Sequence, residues 1–344
     1  MDKKMIFNKN GQRGTESMFK GNSTNLREWD NIKYSWAYDM YRVMLNNFWI
    51  PEEISLVDDS KQFESLTDNE KFAFNRIISF LNFLDSIQSE NIPNLTRYIK
   101  APEITSILNI QTFQEEVHAQ SYAYVLNSVT DPVNRDNIYN LWKDDELLFQ
   151  RIDFITSYYQ NFNENPTRKN FVLMCMANYV LEGIYFYSGF MFFYNLARNG
   201  KMSGTASIFK YINRDETTHL VIFQNIIKEI LSNPDDFLDK EEIEEELKSL
   251  LIKGVEWEIK WGCYVVDNKI QGLPNNLISD YIKYLGNVRS KSIGLGVIYP
   301  ENKENPAEWV NRFSDINNNK TDFFEAKVIN YNKNAKYNMD SLNL

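Results

Sequence analysis

The apolar residues of this chain recur at helical spacing over most of its length. Thirteen Gly and nine Pro are few for 344 residues, which favours long helices over a turn-rich β fold. A capping-box pattern at Thr67 and Glu70 and the prolines at 102, 132 and 166 indicate where helices begin. The pattern predicts an all-α fold of about eight long helices. Their predicted ranges are 33–46, 67–90, 102–128, 131–163, 166–197, 206–232, 240–268 and 274–285.

The two ends of the chain differ from this helical body. Residues 1–30 are polar and rich in Gly, Asn and Ser, so we expect an extended N-terminal arm. Residues 313–344 are rich in Asn and have weak apolar periodicity, which predicts a flexible C-terminal tail. The predicted organisation is therefore an arm at 1–30, one helical domain at 31–312 and a tail at 313–344.

One apolar run, at 171–197, is long enough to cross a bilayer. Its only charged residue is Glu182, which lies near the middle together with Asn178. Ionisable groups are costly at that depth in a membrane and usually mark a functional site. Amphipathic helices are also predicted on both sides of the run. We therefore interpret it as the buried central helix of a protein without a membrane span.

Composition and charge narrow the function classes. A hydrophobic content of 43% and an aromatic content of 15% suffice for a large core. A formal net charge of −10 argues against nucleic acid as the main partner, because phosphates require a basic surface. Two cysteines and an N-terminus without an apolar signal region indicate a reducing compartment, so we expect a cytoplasmic protein.

The chain has two histidines, and each follows a glutamate by three residues. These pairs are Glu115 with His118 and Glu216 with His219. Residues at i and i+3 share a helix face, so both side chains of a pair can bind one metal ion. Two such helices, with one further carboxylate from each of two others, form the ligand set of a dinuclear site in a four-helix bundle. The alternative for each pair is a surface glutamate beside a hydrogen-bonded core histidine.

The two further carboxylates are Asp85 and Glu182, which lie on largely apolar helices. An unpaired buried carboxylate is strongly disfavoured, and a shared metal site would provide a partner for all four acids. Carboxylate and imidazole ligands without thiolates suit iron or manganese.

Tyr122 follows His118 by one helical turn, so its phenol should lie beside this cluster. Phe186 and Phe190 follow Glu182 at i+4 and i+8, on nearly the same helix face. The simplest interpretation of all three is an aromatic core. The alternative is an apolar cage around an oxygen-centred radical on Tyr122.

Over nearly its whole length the chain resembles the small, radical-generating subunit of class I ribonucleotide reductase. The segments that carry the resemblance, in this order, are FWIPEE (48–53), FLDSIQSEN (83–91), QEEVHAQSY (114–122), LEGIYFYSGF (181–190) and RDETTHL (214–220). A ferritin or a monooxygenase would share only the two Glu-x-x-His pairs and the bundle. The resemblance implies a ferritin-like bundle, a homodimer and a large catalytic subunit as partner.

The resemblance also implies roles for individual residues. It implies that Tyr122 carries a stable tyrosyl radical and that Trp49 and Asp215, with His118, relay charge towards the surface. In the tail it implies that Tyr331, or Tyr337 in its place, passes the radical on, and that residues 339–344 dock to the large subunit. The implied ligands are Asp85, Glu115 and His118 for one metal and Glu182, Glu216 and His219 for the other, and the implied radical pocket is Phe186, Phe190 and Ile212.

The implied activity is reduction of ribonucleoside diphosphates to deoxyribonucleotides, catalysed together with the large subunit. All six ligands are present, which excludes the metal-free variants, and Tyr122 disfavours those variants that have Phe there. The motifs fit both a di-iron enzyme and a dimanganese enzyme with a flavoprotein activator. Two other functions stay open on the residues alone, a stand-alone di-iron oxidase or oxygenase and an iron-storage bundle.

Overall fold

The computed structural model describes residues 1–14, 16–233 and 239–314, and these residues are predominantly helical. Their β-structure is limited to one bridge between Gln12 and Ser23. The all-α prediction is therefore confirmed. The helices are α1 Ser35–Asn46, α2 Val57–Glu64, α3 Asp68–Thr96, α4 Pro102–Val129, α5 Pro132–Asp144, α6 Glu146–Glu164, α7 Arg168–Val180, α8 Tyr187–Arg198, α9 Ser203–Ser232, α10 Lys240–Val266, α11 Asn275–Ser292 and α12 Glu308–Ser314.

Several of the predicted helix starts rest on caps that the structure contains. The Thr67 side chain accepts a hydrogen bond from the Glu70 N–H at 3.2 Å, and Glu70 accepts one from the Thr67 N–H at 2.8 Å. This reciprocal capping box starts α3. Pro102 and Pro132 stand in the first turns of α4 and α5, where the missing N–H costs nothing.

The predicted single helix at 131–163 is wrong, because the structure has two helices there. Asp145 is extended, with φ −90° and ψ 106°, and ends α5. Its carboxylate caps α6 by accepting from the Leu148 N–H at 3.2 Å, and it also accepts from Arg76 Nε at 2.7 Å. These contacts stabilise the break between α5 and α6. One of them is with α3, which is distant in sequence, so the local sequence pattern does not predict the break. The sequence pattern also missed α2 and a 3-10 turn at Pro51–Glu53.

The apolar run lies inside the protein, as predicted. The helical span Arg168–Arg198 is both long enough and apolar enough to cross a membrane. However, 94% of its 18-residue apolar stretch is buried inside the protein. It is not one regular α-helix, because a π-helical turn at Leu181–Tyr185 separates α7 from α8. This turn packs against α9, α10 and α11. It therefore places Glu182 at the centre of the bundle.

The division of the chain into an N-terminal arm, a helical domain and a C-terminal tail stays a prediction. Within 1–14 and 16–30 the structure has no helix, and Met18 of this arm is buried and donates its N–H to the Tyr34 hydroxyl at 2.7 Å. At the other end α12 extends to Ser314. Tyr331, Tyr337 and the ending 339–344 lie outside the described residues.

Candidate metal centre

Six side chains from three helices and the π-turn meet at the centre of the bundle. The donor atoms of Asp85, Glu115, His118 and Glu216 lie within 4.8 Å of one another, and so do those of Glu115, Glu182, Glu216 and His219. The two groups share Glu115 and Glu216. All six residues are completely buried. The geometry is that of two adjacent cation positions with two carboxylates between them.

The two Glu-x-x-His pairs face each other across the centre. His118 Nδ1 lies 3.0 Å from Glu216 Oε1 of α9, and His219 Nδ1 lies 3.2 Å from Glu115 Oε1 of α4. Within its own helix, His219 Nδ1 lies 2.9 Å from Glu216 Oε2. Within α4, His118 Nδ1 lies 3.5 Å from Glu115 Oε2. Both imidazoles therefore lie within 3.5 Å of a carboxylate on each of the two helices.

The residues present fit a dinuclear metal centre. Among the described residues, five of the six side chains have a buried polar atom without a hydrogen bond. Such atoms are rare in folded proteins, and each requires a partner. Four carboxylates and two imidazoles are a donor set for iron or manganese. The atoms without a hydrogen bond are Asp85 Oδ1, Glu115 Oε2, Glu182 Oε2 and the two atoms that face each other at 3.0 Å, His118 Nδ1 and Glu216 Oε1.

Tyr122 lies beside this centre, as its spacing from His118 predicts. Its hydroxyl donates a hydrogen bond to Asp85 Oδ2 at 2.8 Å, and the ring is completely buried. Burial, and next the negative charge of Asp85, raise the pKa of the phenol. The ring centroid lies 5.9 Å from that of Phe209, which in turn lies 6.2 Å from Phe190. The phenol is therefore neutral, with its hydroxyl on Asp85 and its ring beside Phe209.

The pocket residues that the resemblance implies are all buried. Phe186, Phe190 and Ile212 lie in the core, and the rings of Phe186 and Phe190 are 6.0 Å apart. Phe209, whose ring is the aromatic neighbour of Tyr122, was missed by the sequence analysis. It precedes Ile212 by three residues on α9, so helical spacing from Ile212 could have revealed it.

A continuous chain of contacts connects the centre with Trp49. The indole Nε1 donates to Asp215 Oδ2 at 2.8 Å, and the same oxygen lies 3.4 Å from His118 Nε2. Arg214 Nε donates to the other Asp215 oxygen at 3.0 Å. Trp49 is buried, and its ring stacks on Tyr211 with centroids 5.1 Å apart. Residues distant in sequence thus form one hydrogen-bonded path from a candidate ligand.

Comparison with known families identifies the protein family of this chain. The family described as ribonucleotide reductase, small chain, matches residues 26–306. The chain belongs to this family. It is 44% identical over 339 residues to the ribonucleoside-diphosphate reductase subunit beta of Treponema pallidum, with 97% of this chain and 96% of that protein covered. The corresponding subunit of Halalkalibacterium halodurans is 40% identical over 333 residues, with the same shares covered.

Solved structures agree with this assignment. The ribonucleotide reductase R2 subunit from Clostridium botulinum is 62% identical, with a TM-score of 0.90, and the match covers 92% of this chain and 99% of that chain. The dimanganese(II)-NrdF of Streptococcus sanguinis, at 21% identity and a TM-score of 0.73 over 84% of this chain and 99% of that one, shows the shared fold. The ferritin-like fold and the family resemblance are therefore confirmed, and a stand-alone oxidase and an iron store are disfavoured.

Three buried glutamines of this reductase subunit hold the candidate ligands, and the sequence analysis missed them. Gln88 Nε2 donates to Glu182 Oε1 at 2.7 Å, and Gln111 Nε2 donates to the same oxygen at 3.1 Å. Gln114 Oε1 lies 3.0 Å from His219 Nε2. Such contacts orient ligands and tune their affinity for metal. Their spacing was a usable signal, because each glutamine lies three or four residues from a ligand on the same helix.

The electrostatics of the metal-free centre show how strongly it favours a cation. Burial, together with the charges of Glu115 and Glu216, raises the pKa of Asp85 well above its usual range. Burial and the same two glutamates also raise the pKa of Glu182. Burial lowers the pKa of His118 and of His219, but the surrounding carboxylates outweigh it, so both pKa values are raised. The raised pKa values favour the protonated forms of these four groups, and metal binding requires their deprotonation.

Proposed function

We propose that this small subunit holds two iron or manganese ions between its six buried donors and stores a radical on Tyr122. Asp85, Glu115 and His118 would hold one ion and Glu182, Glu216 and His219 the other. When bound, the metal pair supplies the oxidising power for a one-electron oxidation. The observation that carries the proposal is the 2.8 Å hydrogen bond from the buried Tyr122 hydroxyl to the candidate ligand Asp85.

Tyr122 is arranged to lose an electron and a proton together. Its proton already lies on a hydrogen bond to Asp85 Oδ2, which is therefore the nearest acceptor. A neutral tyrosyl radical remains after that transfer. The ring is fully buried, and exclusion of water and of soluble reductants would preserve the radical.

The contacts of Trp49 support a route out of the centre. Asp215 Oδ2 accepts from the indole N–H and faces His118 Nε2, so one carboxylate can hold a proton between the two rings. Arg214 fixes the other oxygen of that carboxylate. Beyond Trp49 the route would continue through Tyr331, with Tyr337 as the alternative, towards the large subunit.

The complete activity that follows is reduction of ribonucleoside diphosphates by a complex of two kinds of subunit. This chain, as a cytoplasmic homodimer, supplies the radical, and the large subunit binds and reduces the nucleotide. Both metals fit the donor set. Iron would be activated by oxygen directly, and manganese would require an activating flavoprotein.

A nucleotide-reduction assay with the large subunit tests the route. We expect Trp49→Phe to keep the fold and the metal content, because the ring volume is largely retained, but to abolish reduction because the indole N–H to Asp215 is lost. Deletion of residues 325–344 should also abolish reduction, by removing the docking segment and Tyr331. Trp142→Phe, at a tryptophan of α5 that stacks on Phe83, is the matched control and should retain activity.

Two results would contradict the proposed route. Full reductase activity of Trp49→Phe would remove this tryptophan from the pathway. Undiminished activity of the truncated chain would show that radical transfer does not require the tail.

A further inference from the structure

Glu182 is the only candidate ligand that lies outside a regular α-helix. It belongs to the π-turn Leu181–Tyr185, between α7 and α8. A π-turn inserts one residue into a helix and shifts the backbone hydrogen bonds, so some groups lose their usual partners. The direction in which Glu182 points depends on keeping this insertion in place.

Charged side chains from α6 and α10 bind the backbone that the turn displaces. Arg151 donates from Nη2 to the Tyr185 carbonyl at 2.5 Å, and it also forms an ion pair with Glu258. Glu258 Oε1 accepts from the Ser188 N–H at 2.9 Å and from the Ser188 hydroxyl. The ion pair thus satisfies the last carbonyl of the π-turn and one N–H in the first turn of α8.

A second arginine binds the turn from α11. Arg289 Nε donates to the Gly183 carbonyl at 3.2 Å, and its Nη2 donates to the Tyr187 hydroxyl at 2.9 Å. A Cβ at position 183 would lie 2.7 Å from Leu220 Cδ1, so a side chain there would have to displace Leu220. Leu220 directly follows the candidate ligand His219, so the turn packs against the part of α9 that carries the metal donors.

The burial of these charges is informative. Arg151 and Glu258 are completely buried, and the Arg151 guanidinium lies 3.6 Å from the ring centroid of Phe80. A buried ion pair is a weak source of stability, since apolar residues of similar volume often serve as well or better. Apolar residues could not, however, bind the Tyr185 carbonyl or the Ser188 N–H. The contacts with the turn are what this pair specifically provides.

We propose that Arg151, Glu258 and Arg289 form a backbone clamp that keeps the π-turn and so positions Glu182 for metal binding. This inference rests on the proposed metal centre. If the turn relaxed to a regular α-helix, its extra residue would enter the α-helical register. The flanking segments would then rotate by about 100° relative to each other. Glu182 would then leave the position in which Gln88 and Gln111 hold it. The three clamp members are positioning residues, because they act through the backbone.

The test measures Mn(II) binding and stability of the full-length metal-free protein separately. We expect the double variant Arg151→Met with Glu258→Leu to unfold at the same or higher denaturant concentration than the wild type. Its affinity for the second Mn(II) ion should nevertheless fall by about 10–100-fold, the usual effect of losing a group that orients a ligand. Hydrogen exchange in a peptide spanning 181–188 should differ from that of the wild type, because the backbone hydrogen bonds of the π-turn are replaced, and this reports the loss of the turn without any activity.

Two further variants make the result specific. Arg151→Lys keeps a positive charge opposite Glu258 but loses Nη2, the atom that donates both to Glu258 and to the Tyr185 carbonyl, so affinity should fall in the same direction. This variant decides the question if the double variant does not fold. Lys201→Met removes an ion pair with Glu70, at 2.8 Å, between α3 and the loop before α9. It is the control and should bind Mn(II) like the wild type.

The possible outcomes separate this proposal from the metal centre itself. Folded clamp variants that bind two Mn(II) ions as tightly as the wild type would overturn the clamp and leave the metal centre intact. A wild-type protein that does not bind two Mn(II) ions would overturn both proposals. Weaker binding with unchanged or higher stability and altered exchange at 181–188 would support the clamp.

Discussion

The two Glu-x-x-His helices and the π-turn supply candidate ligands to the same centre in different ways. In α4 and α9 the glutamate and histidine are neighbours on a regular helix, so their common direction follows from helix geometry alone. Glu182 lies in a π-turn whose carbonyls accept from Arg151 and Arg289, and Glu258 binds the first turn of α8 directly after it. The first arrangement is local in sequence, and the second exists only after the bundle has assembled.

This difference predicts how each region responds to change. A substitution in α4 or α9 should affect the metal centre only where it removes a donor or a group that contacts one. The π-turn should in addition be sensitive to residues that never approach the metal.

The largest effect is expected from His118→Ala combined with His219→Ala. Each substitution removes the only imidazole on its side of the centre, so metal analysis should find fewer than two ions per chain. Thr217→Ala, at a half-buried residue of α9 that hydrogen-bonds within its own helix, is the control and should bind both ions. Two tightly bound ions in the double histidine variant would disprove the ligand assignment.

A smaller and more selective effect is expected from Glu182→Ala. Metal binding should weaken, because one donor is lost while the two Glu-x-x-His pairs remain. The metal-free protein loses the hydrogen bonds from Gln88 and Gln111 but also a buried carboxyl group. We therefore expect its free energy of unfolding to change by less than about 2 kcal/mol, measured by urea denaturation. Glu116→Ala, at an exposed position of α4, is the matched control. Unchanged metal content of Glu182→Ala would exclude this residue as a ligand.

The same contrast explains what the sequence could predict. Glu115, His118, Glu216 and His219 were identifiable because their spacing is local and the chain has no other histidine. Asp85 and Glu182 were identifiable as isolated charges in apolar helices. The starts of α3, α4 and α5 were predictable from Thr67, Pro102 and Pro132, since caps act within one turn.

What escaped prediction depends on tertiary contacts. The break between α5 and α6 is held by Asp145, whose partner Arg76 lies 69 residues earlier in the chain. The π-turn was not predictable from residues 181–185 alone. The side chains that bind it and the start of α8, Arg151 and Glu258, come from helices that precede and follow this segment in the sequence. The glutamines around the ligands lay at helical spacing, but only the assembled centre shows that they are buried and bonded to it.

The central claim is that the buried phenol of Tyr122 stores the oxidising equivalent of this centre. The most direct measurement is electron paramagnetic resonance of the wild type and of Tyr122→Phe. Each protein would be loaded with Fe(II) and oxygen and, separately, with Mn(II) and an activating flavoprotein. Tyr122→Phe should fold and bind metal like the wild type, because only the hydroxyl that donates to Asp85 is lost. We expect a tyrosyl signal from the wild type with the metal it uses and no such signal from Tyr122→Phe with either metal. A tyrosyl signal that survives in Tyr122→Phe would contradict the account.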